Sequence, residues 1–143
     1  MHNKTDLPIV MPYFMVGNAG KFIDFLKAVF NAELISRQTG ENSEDVIHAE
    51  MKFNGNRILL ADSGLCGGEW ISPSSTGGSC ATSEGGGKPI QMFVEVENVD
   101  ETSRKALAAG GMMVMEPYND DGDRMCGIAD PFQNLWWFKS TAH

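Results

Sequence analysis

The chain has 143 residues, with 11 Lys plus Arg against 19 Asp plus Glu, for a formal net charge of −8 at pH 7. That length suits one domain with a sizeable core, and 42% apolar with 21% charged residues is the balance of a globular chain rather than a disordered one. The acidic balance speaks against nucleic acid and anionic membrane as partners, no apolar run approaches the ~20 residues of a membrane span, and Cys66, Cys80 and Cys126 form no CxxC pair, which speaks against a disulfide framework or a cysteine zinc site.

The first residues, Met1 to Asp6, hold no apolar run, so no signal peptide is expected and the cytoplasm is the expected compartment. Ile9 to Val16 is apolar and β-rich, and reads as a strand. Asn18 is placed to cap a helix from Ala19 to about Phe30, in which Phe22, Phe25, Leu26, Val29 and Phe30 fall on one face. Glu33 to Gln38 and Val46 to Phe53 read as strands. Asn54-Gly55-Asn56 is a hairpin turn leading into Arg57 to Asp62.

Gly64 to Pro89 differs in composition, holding half of the 16 glycines. It reads as a linker between two modules, spanning 7–63 and 90–140 of a single domain. Within it, Trp70-Ile71 is expected to dock onto the body while Ser74 to Gly87 stays mobile. After it the order of elements repeats. Ile90 to Val96 reads as a strand, and Asn98 or Asp100 caps a helix reaching about Ala109 that Gly110-Gly111 terminates. Met112 to Glu116 reads as a strand, followed by a hairpin of Asp123 to Ala129 and Asn134 to Lys139.

Tyr13, Val16 and Asn18 match Phe93, Val96 and Asn98 at an offset of 80. Asn56 to Leu60 matches Asn134 to Phe138 at an offset of 78. The expected fold is therefore α+β: two βαβββ modules forming cupped mixed sheets with helices on the outer face.

Paired modules of this size resemble the vicinal oxygen chelate superfamily of glyoxalase I, fosfomycin- and bleomycin-resistance proteins and extradiol dioxygenases. More narrowly, the chain is similar to the PhnB-like, glyoxalase-like branch. The residues that carry the likeness are Met11-Pro12-Tyr13, Ile47 to Met51, Ser72-Pro73, Gly77-Gly78, Val94 to Asp100 and Gly122-Asp123-Arg124 leading to Asp130 through Trp136. The chain departs from the branch at Gln133-Asn134, where Gly-His is usual. In metal-using members, four ligands come from the first and last strands of each module. Carried onto this chain, those positions are Met11, Leu60, Gln91 and Trp137. A thioether, an alkyl chain, an amide and an indole do not hold a hard divalent ion, so no metal and no cofactor are expected.

Other candidates are read from the residues themselves. His48 and Glu50 are two apart on one strand and share a face, as half a metal site, an acid–base pair or an ordinary hydrogen-bonded pair. Asp120 to Asp123 carries fragments of a calcium loop without its later ligands, and reads as a polar turn. Cys126 shares a face with Arg124 and reads as a buried structural thiol. The expected cup lining is Met11, Tyr13, His48, Glu50, Leu60, Asp62, Gln91, Phe93 and Trp137, an apolar surface with a few polar groups suited to a small organic molecule. The expected function is small-molecule binding, as in the resistance proteins, by a homodimer, with glyoxalase I activity not expected. The alternative is a metal-dependent lyase, isomerase or dioxygenase using other ligands.

Overall fold

The computed structural model describes residues 10–40, 46–62 and 89–141. The linker, apart from Pro89, lies outside them, and so do the expected docking of Trp70-Ile71, Cys66 and Cys80. The described elements are β1 (Tyr13–Val16), α1 (Ala19–Phe30), β2 (Glu33–Thr39), β3 (Val46–Phe53), β4 (Asn56–Asp62), β5 (Gln91–Glu95), α2 (Val99–Ala108), β6 (Met112–Asp120), β7 (Asp123–Ala129) and β8 (Leu135–Thr141). One mixed sheet has the order β1-β4-β3-β2 and the other β5-β8-β7-β6, with the first and last strands of each module parallel. These are the two expected βαβββ modules of an α+β fold.

The repeat extends to the helix starts. Asn18 and Asn98 both adopt extended backbone, and each side chain accepts from an N–H three residues on, Lys21 or Glu101, at 3.0 Å. Each serves a donor that a first helical turn leaves without a partner. Helix α2 ends as expected, with Gly110 at φ 103 and the N–H of Gly111 reaching back to the Ala106 carbonyl at 2.8 Å. The hairpin turns Asn54-Gly55 and Asp121-Gly122 have positive φ at both residues, the conformation that matches strand twist. The second of these is the acidic run, which turns the chain from β6 to β7.

Strand bounds differ most from the reading of the sequence in β1 and β6. β1 starts at Tyr13 rather than Ile9, and Val10 is exposed. β6 runs on to Asp120 through Pro117, because an edge strand tolerates a missing donor. One core joins the modules through the sheet faces that carry the helices. Trp136 stacks on Phe14 at 5.7 Å, lies 5.1 Å from Phe30 and 6.5 Å from Phe25, and Phe30 meets Phe138 at 5.8 Å.

Candidate functional site

Among the described residues, no element covers the face of each sheet turned away from this core. On the first sheet, alternation sends Phe14, Ala49, Met51, Phe53, Ile58 and Leu60 inward and leaves Tyr13, His48, Glu50 and Leu59 on the other side. Tyr13 pairs with Leu59 across the parallel ladder, and Leu59 pairs with Glu50. The Tyr13 ring meets His48 edge-on at 6.1 Å. Glu50 accepts from the Arg57 guanidinium at 2.8 Å. Its partner is therefore Arg57 rather than the neighbouring His48.

Two members of the expected lining do not belong to it. Leu60 is 0% exposed and sits in the core opposite Phe14; Leu59 takes the open position. Asp62 lies at the end of β4 beside Val16, and its two oxygens accept the backbone N–H groups of Ala19 and Val46, each at 2.7 Å. It holds the start of α1 and of β3 together. The alternation along β3 breaks at its start. Val46 is buried and Ile47 exposed, because the ladder slips between Gln38 and Thr39.

On the second sheet, Met92, Val94, Cys126, Ile128, Trp136 and Phe138 turn to the core. Gln91, Phe93 and Trp137 face outward. The indole N–H of Trp137 donates to Gln91 Oε1 at 2.9 Å. Two of the four positions assigned to metal ligands by resemblance thus bond to each other, and a third, Met11, borders a cleft of about 660 Å3 that Phe93 also lines. Among the described residues, no three His, Cys, Asp or Glu side chains stand together as a metal site.

The open face continues onto the edge strand β6, where Met112 is 67% exposed and Met115 and Tyr118 also reach the surface. Sequence reading missed these residues, although exposed apolar side chains on an edge strand next to aromatic neighbours are themselves a surface signal.

The Asp130 to Trp136 run, which carried much of the family likeness, is structural. Asp130 is buried and accepts from the backbone N–H groups of Phe132 and Asn134, from Asn134 Nδ2 and from the Trp136 indole. Burial raises its pKa above the usual carboxylate value, against the pull of those hydrogen bonds. Asn134 in turn accepts the Ile90 N–H at 2.9 Å, tying the turn to β5. Gln133, where the branch usually has glycine, holds φ 72.

Cys126 is fully buried, and burial pushes its thiol up to about 11. Arg124 shares its face, as expected, but is paired with Asp100 at 2.7 and 3.0 Å. A thiol so placed is not a nucleophile at neutral pH. Iodoacetamide at pH 8 is expected to leave Cys126 unmodified in the folded protein and to label it fully in urea, as read by peptide mass spectrometry. Rapid labelling without denaturant would contradict this.

The model of the Glyoxalase/Bleomycin resistance protein/Dioxygenase superfamily matches residues 9–138. An uncharacterized protein of Mycobacterium bovis is 32% identical over 132 residues, covering 90% of this chain and 80% of its own. Among solved structures, TioX from Micromonospora sp. ML1 is similar with a TM-score of 0.64 and 23% identity, over 93% of this chain and 96% of that one. The PhnB protein from Bacillus cereus is similar with a TM-score of 0.66 and 18% identity, over 94% of this chain and 100% of that one.

Proposed function

The chain belongs to the glyoxalase/bleomycin resistance protein/dioxygenase superfamily, and from that premise we propose that it is a small-molecule-binding member of the PhnB-like branch that works without a metal or other cofactor. The observation that carries this reading is the bond between Trp137 and Gln91. Gln91 is the one oxygen donor among the four ligand positions, and its carbonyl is already engaged. Met11, Leu59 (in the place first given to Leu60) and Trp137 offer no charged or imidazole donor to a divalent ion. What remains is an outward face with aromatic walls and few polar groups, which suits an organic molecule.

Elemental analysis of untagged protein purified without chelators is expected to find no stoichiometric Zn, Ni, Mn or Fe. Added Ni or Zn is expected to give no turnover of the hemithioacetal of methylglyoxal and glutathione, a reaction that needs a metal-stabilised enediolate and a base beside it. Close to one metal per chain, lost on Gln91→Ala, would establish the metal-dependent enzyme instead.

The proposed working unit is a cytoplasmic homodimer. Among the described residues, the ring contacts that join the modules lie on the core side, and each open face lacks a counterpart there. A second copy supplies one by setting its first sheet against the second sheet of its partner. Light scattering at tens of micromolar is expected to give the mass of two chains. A single-chain mass would count against the dimer.

A further inference from the structure

The open face of the second sheet carries an aromatic side chain that is fixed before any ligand arrives. Trp137 sits on β8, between β5 and β7. Its indole N–H is held by Gln91 on one neighbouring strand at 2.9 Å. Its six-membered ring lies over Gly127 on the other, so closely that a Cβ there would come within 2.6 Å of Cζ3 and 2.9 Å of Cε3. The ring is thus held against the backbone of β7 at Gly127, and the side chain stays half-buried on the outward side of the sheet. Glycine is required at 127 for this close approach. A side chain anchored on both sides has little rotamer freedom left to lose on stacking. Beside it, Phe93 pairs with Trp137 across the ladder and is 56% exposed.

The charges around this plate have one sign in excess. Lys139, two residues on from Trp137 on the same face, lies 3.3 Å from Glu95 and 3.8 Å from Asp123. Two carboxylates share one ammonium, and the Glu95 side chain, 72% exposed, has capacity for a second cation. The chain as a whole is at −8. A cation over an indole face is attracted by the ring itself. An anion would meet the carboxylates, and a second copy presenting this same face would set carboxylate against carboxylate.

We propose that the open face of the second sheet binds a planar aromatic cation, stacked on Trp137 with Glu95 and Asp123 as counter-charge. This rests on the small-molecule reading above and names its ligand class. The test uses the full chain in 150 mM salt with three probes: proflavine, a planar aromatic cation; 2-naphthalenesulfonate, a planar aromatic anion; and tetraethylammonium, a cation without a ring. Calorimetry is expected to show one proflavine per chain, with about tenfold or weaker binding of the other two. Trp137→Leu is expected to weaken proflavine by about tenfold or more, the size of a base-on-aromatic stacking interaction. Glu95→Gln, an exposed change that leaves the fold intact by circular dichroism, is expected to weaken it about threefold to tenfold. Gly127→Ala is expected to act like Trp137→Leu.

Equal or tighter binding of the sulfonate, weakened by Trp137→Leu, would overturn the cation while leaving the small-molecule reading in place. Proflavine binding indifferent to both Trp137→Leu and Glu95→Gln would overturn the platform. Failure of all three probes to bind would overturn the proposed ligand class, and stoichiometric metal found in the same preparation would overturn the reading beneath it.

Discussion

Asp130→Ala is expected to destabilise the protein by about 3–5 kcal/mol, because it strands several buried donors at once rather than one. The carboxylate, 4% exposed, accepts from the Phe132 N–H at 2.8 Å, the Asn134 N–H at 3.0 Å, Asn134 Nδ2 at 3.1 Å and the Trp136 indole at 2.9 Å. Alanine leaves these groups facing a void where water replaces only part of what is lost. The damage spreads beyond the turn. Trp136 is the ring on which Phe14, Phe25 and Phe30 of the first module converge, so an indole freed from its anchor loosens the contact between the modules. Asp130→Asn is the sharper comparison. It keeps the shape but turns an amide N–H toward other N–H groups, and is expected to cost about 2–3 kcal/mol. Urea denaturation followed by tryptophan fluorescence measures both. A loss below about 1 kcal/mol for Asp130→Ala would show that the cluster does not hold the turn.

The architecture was legible because its signals are local. Helix α1 announces itself by a 3.6-residue apolar stripe and a capping asparagine, and the second module repeats the asparagine at an offset of 80, down to the donor that it serves. The hairpin at Asn54-Gly55 is fixed by two residues that tolerate positive φ. The facing of β4 was not legible by the same means. Ile58-Leu59-Leu60-Ala61 is apolar throughout, so period-two alternation gives no sign of which leucine points inward. The answer was in the repeat, since an offset of 78 sets Leu59 against Trp137 and Leu60 against Phe138. The structure places the first pair outward and the second in the core.

The site was less legible, because its most informative features are contacts between distant residues. The Trp137–Gln91 bond spans 46 positions, and the approach of Gly127 to Trp137 depends on strand register. Nothing within either segment signals them. The outward stretch of β6 runs past the expected end at Glu116 and through Pro117, a residue that lacks a ladder donor. It is tolerated there because β6 lies at the edge of the sheet.

Asp62 shows how a candidate ligand contact becomes a structural residue once the topology is known, and its replacement carries the second large expected effect. As a carboxylate at the end of a strand, it looks free to reach a ligand. In the structure it receives the Ala19 and Val46 N–H groups at 2.7 Å each, short distances typical of bonds to an ionised acceptor. Ala19 opens α1, so the carboxylate also sits where the helix dipole favours negative charge. The second module solves the same problem with a neutral group. Ser140, equivalent at the offset of 78, accepts the Val99 N–H at the start of α2 at 3.3 Å. One longer bond to a hydroxyl is the weaker device. Asp62→Ala is therefore expected to cost about 2–4 kcal/mol and Ser140→Ala about 1 kcal/mol or less. Asp62→Ser, which copies the second module into the first, is expected to recover about 1 kcal/mol of the Asp62→Ala loss. Since Asp62 is committed to the backbone and not to the open face, proflavine affinity per folded chain is expected to be the same in all three variants. An Asp62→Ala protein of undiminished stability whose affinity for the probe has fallen would return this residue to the binding site.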